Sequence, residues 1–484
     1  MKRSKLVFRS ALAVAVLPLV FLGCSVGPNY HEPAVAAPAA WQEGKQLGID
    51  PQPADLARWW TAFDDPLLNS LIERAVKSNL DLRIAEARIR EARGALGVAG
   101  ADLWPTADVS GSYSRNRSSG NAVGSPSQGS VAAPGNGRQL EQDLFRTGFD
   151  SGWELDIFGG VRRRIEAAQA NVDASIENWR DVLVTLLGDV AKNYIDLRGF
   201  QQRLQVARAN LKTQQETLEL TRVRFDAGLA SDLEVAQSEG QVNATAAQIP
   251  ILQSAIKSAA YRLDLLLGAQ PGTLSDEFAT ETPIPALPPQ AKVGLPLDLL
   301  RRRPDIRRAE RQLAAATAQI GAATADLYPK FSLTGAFGLQ SVSAGDWLSG
   351  QSRFWSIGPT IRWPVFDAGK IRANIAIRNA QQEQALGQYE KSVLTAFADV
   401  ENALVNYGNE QTRYRSLLQA VAANRRAAEL ANELYVRGLD DFLNVLDAQR
   451  ALYATETELV QSEATMASNL VALYKALGGG WETN

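Results

Sequence analysis

Few side chains in this 484-residue chain could do covalent chemistry. It holds one Cys (Cys24), one His (His31) and two Met. With a single imidazole near the N-terminus, no Ser-His-Asp set can form among the later helices. No glycine-rich phosphate loop and no cluster of metal ligands occurs. The chain therefore reads as no enzyme, with no cofactor and no metal. A lone Cys has no intrachain disulfide partner, so its thiol is free for acylation. The net charge of −3, without a basic patch, argues against nucleic acid as a partner.

The residues around Cys24 say how that thiol is used. Lys2, Arg3, Lys5 and Arg9 precede a mostly apolar run over residues 6–22, which is short for a spanning helix and ends at Gly23-Cys24. This looks like a bacterial lipoprotein cleavage site. Residues 1–23 form the signal peptide, Cys24 becomes the first mature residue and carries lipid, and Ser25 in place of Asp favours the outer membrane. Phe21 and Leu22 are bulkier than is usual there, and the plainer alternative is an ordinary signal peptide with a buried Cys. The mature chain keeps 46 of the 50 Lys and Arg against 53 Asp and Glu, a net −7. No apolar run in it is long enough for a transmembrane helix.

Residues 24–58 are rich in Pro and Ala and read as an extended, lipid-anchored tether. A first structural repeat follows over residues 59–268. Its opening helical region begins at Trp59-Trp60-Thr61-Ala62-Phe63-Asp64-Asp65-Pro66, with Asp65 as cap and Pro66 in the first turn. It runs to about Leu103. Ala107, Val109, Gly111 and Tyr113 then alternate with Asp108, Ser110, Ser112 and Ser114. Phe145, Phe149, Trp153, Leu155 and Ile157 alternate with Arg146, Asp150, Glu154 and Asp156. A period of two is strand periodicity, so residues 105–157 form a β-hairpin with a long polar tip. A long helical hairpin over 161–267 completes the repeat. Its first arm spans ~100 Å, and a bend is expected at Pro250 in its second.

A Pro-rich crossover, 269–295, leads to a second repeat, 296–484. This contains a helix, a β-hairpin over 329–366 and a helical hairpin over 370–476. Both helical hairpins turn at a glycine: Gly228-Leu229-Ala230-Ser231 in the first and Gly438-Leu439-Asp440-Asp441 in the second, 210 positions apart. Ser231 and Glu234 have capping-box spacing. Leu183, Leu187, Val190, Tyr194 and Leu197 match Val393, Phe397, Val400, Leu404 and Tyr407 at the same offset, with the 4,3,4,3 spacing of a coiled-coil seam. Before the β-hairpins the offset is 224, because the first hairpin loop is longer.

Four amphipathic strands cannot close a barrel, and an open sheet edge cannot face lipid. Three copies supply twelve strands, an even number that closes by cyclic symmetry. The fold expected is an internally duplicated α+β membrane protein: a homotrimeric 12-stranded β-barrel, four strands per protomer, continuous with a long α-helical periplasmic barrel. Trp104, Trp153, Tyr328, Trp355 and Trp363 suit an aromatic girdle. The plainer alternatives are a soluble hairpin pair packed on the helices, or a lipid-anchored periplasmic coiled-coil scaffold or adaptor without a channel.

Several blocks, in order, resemble the outer-membrane factors of tripartite efflux and type I secretion systems, TolC-like, in their lipoprotein branch of NodT type. They are Trp59 to Pro66, Leu299-Leu300-Arg301-Arg302-Arg303-Pro304-Asp305-Ile306, Trp355-Ser356-Ile357-Gly358-Pro359 and Val365-Phe366-Asp367-Ala368-Gly369. The resemblance implies a trimeric, passive exit duct in the outer membrane of a Gram-negative bacterium. Drugs or other small molecules reach it from an inner-membrane RND-type pump through a periplasmic membrane-fusion adaptor. It places the periplasmic gate at the second helical hairpin. Tyr435 matches a tyrosine that latches the closed state, and Asp447 an aspartate that rings the constriction. Asn444 stands where the family has a second acidic residue, a departure from a double aspartate ring. Gly228, Leu229, Ala230 and Ser231 with Gly438, Leu439, Asp440 and Asp441 are the implied adaptor-docking tips. Arg437, Asp440, Asp441 and Asp447 make the second tip the expected moving copy.

Overall fold

The computed structural model describes residues 25–34, 37–44, 49–50, 52, 56–117, 119, 141–288 and 290–482. Cys24, the signal peptide and most of the first β-hairpin loop lie outside the described residues. The chain forms two compact units, which do not follow the sequence repeat. One takes residues 91–172 and 312–386 together with the N-terminal segment up to Glu32. The other takes residues 33–90, 173–311 and 387–484. Each unit therefore draws on both halves of the chain.

The first unit contains one antiparallel sheet, with strands β1 (Thr106–Arg117), β2 (Glu141–Leu155), β3 (Lys330–Ser341) and β4 (Arg353–Arg362) in the order 1-2-3-4. Thr106 pairs with Gly152, Leu155 with Phe331, and Lys330 with Arg362. This register puts the apolar members of each alternating strand on one face. Val109, Phe149, Phe337, Trp355, Ile357 and Ile361 stand exposed there. The other face carries polar groups, and Ser110 Oγ donates to Asp150 Oδ2 at 2.6 Å. The outer edges of β1 and β4 have no partner strand among the described residues. Two indoles fasten matching ends of the sheet: Trp153 Nε1 donates to the Leu103 carbonyl at 2.9 Å, and Trp363 Nε1 to the Leu327 carbonyl at 3.0 Å.

The same unit holds the start of the described chain. Val26 N–H donates to the Phe158 carbonyl at 3.1 Å. The buried Arg163 guanidinium donates to the Val26 and Gly27 carbonyls and to Asn29 Oδ1. The tether is thus held at its first described residues. A charged donor makes such hydrogen bonds stronger than a neutral one would.

The opening helical region is broken where one stretch was expected. It consists of a 3₁₀ turn at Trp59–Phe63, then α1 (Pro66–Ser78) and α2 (Leu80–Ala101). Asp65 Oδ1 accepts from the Leu67 and Leu68 N–H groups, capping α1. Asn79 makes the break: its Oδ1 accepts from the Asp81 and Leu82 N–H groups while its Nδ2 donates to the Leu266 carbonyl. The second half breaks likewise between α5 (Pro296–Arg302) and α6 (Pro304–Ala325), 224 positions on. There Pro304 disfavours helical backbone at Arg303. Arg303 then reaches across the chain. It donates to the Ala476 carbonyl at 3.0 Å, forks onto Asp305 at 2.7 and 3.0 Å, and meets Asp399 at 3.1 Å.

The long helices are α3 (Gly160–Asp226), α4 (Asp232–Leu266), α7 (Lys370–Val436) and α8 (Phe442–Ala476). Pro250 lies inside α4, which continues through it. The main apolar core is in the second unit. Leu183, Leu187, Val190, Tyr194 and Leu197 are buried with Val393, Val400, Leu404 and Tyr407, and Phe397 packs against them.

Arg303→Met should lower the unfolding free energy by about 2–3 kcal/mol, because it leaves Asp305 and a helix-end carbonyl without their charged donor. Chemical denaturation of the variant checks this, and Arg301→Met, at an exposed position two residues away, should be within ~0.5 kcal/mol of wild type.

Candidate functional site at the paired helical tips

Both tips lie in the second unit and close in the same way. Gly228 and Gly438 each adopt φ +71°, a left-handed conformation that costs glycine nothing. The following amide reaches back to satisfy a helix-end carbonyl, Leu229 N to Arg224 O at 2.7 Å and Leu439 N to Leu434 O at 2.9 Å. A Cβ on either glycine would meet open space, so backbone conformation alone demands glycine there. Leu229 and Leu439 then project into solvent at matching positions, 69% and 70% exposed, with Leu233 and Leu443 beside them. Ala230 sits in the first turn among these exposed groups.

The caps differ. In the first tip Ser231 and Glu234 form the full capping box. Glu234 N–H donates to Ser231 Oγ, and Glu234 Oε1 accepts from the Ser231 N–H at 3.0 Å. In the second tip the cap residue Asp441 makes no side-chain cap bond. Asp440 takes over: its Oδ1 accepts from the Asp441 N–H at 2.8 Å and from Asn444 Nδ2 at 2.6 Å. Asn444 is therefore tied into its own turn. Asp447 stands exposed on α8, with Arg450 Nη1 at 3.9 Å as a weak neighbour.

Tyr435 joins the two tips. It is 3% exposed and packs with Phe442, Val445 and Leu446 in a small apolar cluster, against Leu220 and Ala431. Its hydroxyl donates to Glu234 Oε2 at 3.0 Å. The Arg224 guanidinium lies over its ring at 4.6 Å, a cation–π contact. Phe442 leans on it at 5.4 Å between ring centroids. One carboxylate thus serves both hairpins: Oε1 of Glu234 closes the first cap, and Oε2 holds the second hairpin. The capping box was visible in the sequence. Its second use was not, because Tyr435 lies 201 positions away. Arg224 and Phe442 were likewise missed, each looking like an ordinary helix-end residue.

Burial, reinforced by the neighbouring Glu234 carboxylate, raises the Tyr435 hydroxyl above its ordinary value of 10.0. The packed tip holds this proton more tightly than the separated one. Its stabilisation is complete below the ordinary value and is lost only as pH rises through and beyond it. Among the described residues no group of acidic or sulfur side chains could hold a metal ion. No helix among them is long and apolar enough to cross a membrane.

The chain matches the family described as "Outer membrane efflux protein" over residues 71–269 and 295–479. It is 33% identical over 469 residues to a nodulation protein T of Rhizobium leguminosarum bv. trifolii, covering 96% of each chain. It is 34% identical over 483 residues to the toluene efflux pump outer membrane protein TtgI of Pseudomonas putida, covering 99% of each. Its fold is similar to that of the outer-membrane channel OprN, with a TM-score of 0.87 and 37% identity over 95% of this chain and 100% of that one. CusC, described with transmembrane channel formation, gives a TM-score of 0.79 at 30% identity over 94% of this chain and all of CusC.

Tyr435→Phe keeps the ring and removes only its bond to Glu234, so the tip should lose ~1 kcal/mol of local stability. Hydrogen exchange of the amides around Glu234 and Phe442 should rise roughly fivefold. Phe442→Ala should cost more, about 3 kcal/mol. Protection of the wild-type tip should not change between about pH 6 and 8, given the direction of the Tyr435 shift.

Proposed function

Because this chain belongs to the outer membrane efflux protein family and is an outer-membrane efflux channel component, we propose that three copies close one passage. The observation that carries this is the sheet. Its four strands have an exposed apolar face and two edges without a partner strand among the described residues. Exposed apolar area of that size needs lipid or a partner, and an edge in lipid needs another strand. Copies of the same sheet supply both needs, giving a 12-stranded barrel with the Ser110–Asp150 face toward water. Six helical hairpins from the same three copies surround the periplasmic part of the passage. The chain does no chemistry of its own; an inner-membrane RND-type pump drives drugs or other small molecules to it through a periplasmic adaptor. A coiled-coil scaffold without a channel has no use for such a sheet.

Cys24 carries the lipid in this proposal. Ser25 and Val26 follow it directly, and the Val26–Phe158 bond holds them beside the end of β2. A lipid on the preceding residue is then tethered at the rim of the sheet.

The tips act as gate and docking surface. The Tyr435–Glu234 bond and the Arg224 contact pin the second hairpin to the first, which is the closed arrangement. Opening separates Tyr435 from Glu234 while the Ser231–Glu234 cap keeps the first tip folded. Asp447, repeated three times about the axis, favours cations at the constriction. Asn444, held by Asp440, adds no charge there. The exposed Leu229 and Leu439, with the turn residues Gly228, Ala230, Ser231, Gly438, Asp440 and Asp441, form the adaptor-facing surface.

Planar-bilayer recording tests both halves. Trp355→Arg puts a charge on the lipid face and should cost ~2–4 kcal/mol at mid-membrane, with loss of inserted channels, whereas Ser356→Arg on the opposite face should insert normally. Insertion of both variants alike would count against the barrel. Asp447→Ala should lower cation preference by a measurable shift in reversal potential, and Asn444→Ala should leave it unchanged; an unchanged Asp447→Ala channel removes Asp447 from the constriction.

A further inference from the structure

Between the main core and the apolar tip cluster, the seam of α3 turns polar. Spacing of 3 and 4 carries it from Ala207 through Asn210, Gln214 and Thr217 to Thr221. Here α3 faces α7 and α8 across a cavity of about 470 Å³. That volume is in the range of small-molecule sites. Gln214 lines it while 3% exposed, and neither its amide oxygen nor its amide nitrogen has a partner among the described residues. A buried amide left without partners is rare in a native fold and points to something that bonds it.

The remaining lining sets the chemistry. Apart from the amide nitrogens of Gln214 and Asn432, its donors have partners among the described residues. Arg425 pairs with Glu456 at 2.8 Å, Gln449 Nε2 donates to Thr217 Oγ1 at 3.0 Å, and Asn210 Nδ2 donates to the Val206 carbonyl and to Glu456 Oε2. The Thr213 and Thr217 hydroxyls donate to carbonyls one turn back. Acceptors are left over among the described residues: the Gln214 and Asn210 amide oxygens and the Glu216 carboxylate, while Glu429 has Arg426 at 3.6 Å. Of the three lining carboxylates, Glu456 is paired with Arg425 and Glu429 with Arg426, which leaves Glu216 as the excess negative charge. We propose that this cavity is a binding site for a small organic cation rich in N–H donors, a guanidinium or primary ammonium compound, with Gln214 as its central contact. Because the cavity lies between the first hairpin and both arms of the second, an occupant bridges the same two hairpins that Tyr435 and Glu234 join. Binding does not depend on the duct function, and only its effect on opening does.

The test uses the full-length lipidated protein in nanodiscs and agmatine as probe, with butylguanidine and 4-guanidinobutyrate as comparison arms. Calorimetry should show agmatine binding, with butylguanidine weaker and the zwitterionic 4-guanidinobutyrate weakest. Hydrogen exchange should slow in residues 209–220 and 425–456. Gln214→Leu, similar in size without the amide, should weaken agmatine at least tenfold. Gln214→Glu, which adds a carboxylate, should tighten it. No binding at millimolar agmatine, or equal affinity in wild type and Gln214→Leu, would overturn the proposal and leave the cavity to water. Loss of binding without any change in single-channel conductance would uphold the site and leave the duct function to its own bilayer test.

Discussion

A row of backbone amides and carbonyls at each edge of a four-stranded sheet, without a partner strand among the described residues, is the constraint from which the rest follows. In water such an edge can be solvated; beside an exposed row of Val109, Phe149, Phe337, Trp355, Ile357 and Ile361 it cannot be placed in lipid alone. Closure by further copies resolves both faces and both edges at once. In the proposed closure the polar side of the sheet serves as the wall of an aqueous passage without any added feature. Each strand pair runs within a few residues into a 67-residue helix.

The ends of those hairpins show how duplicated sequence acquires unequal roles. The turns share one glycine conformation and one projecting leucine, which makes them equivalent as surfaces. Their caps are not equivalent. Glu234 closes its own turn and holds Tyr435, while the second turn relies on Asp440 and leaves Asp441 without a side-chain cap bond. A tip whose cap is internally complete can stay folded when its partner leaves. The second tip owes its fixed position to Tyr435 and Phe442, with Arg224 laid over the tyrosine ring.

Periodicity made most of the elements legible. Two-residue alternation marked the strands, and a 4,3,4,3 seam marked the buried line from Leu183 to Leu197. The Ser231–Glu234 box and the two glycines were local signals and stood out for that reason. What was missed depends on distant partners. Asn79 looks like any polar helix residue until its amide meets the Leu266 carbonyl, and Arg303 until it reaches Ala476. The tether composition of residues 24–58 gave no sign that Arg163 would hold its first residues. At the second tip, likeness to a family pointed to Tyr435 but not to its acceptor Glu234, and it marked Asn444 as a departure from a second acidic residue without showing that Asp440 would hold its amide. The division into compact units also escaped the sequence, since a repeat records ancestry along the chain and compactness records contacts across it.

Closure by three copies is the claim on which the channel, the constriction and the docking surface all rest. Native mass spectrometry of the lipidated protein released from nanodiscs measures it directly. The account predicts one species of three chains, each heavier than the Cys24–Asn484 polypeptide by its acyl groups. A monodisperse single chain with an intact melting transition would contradict it.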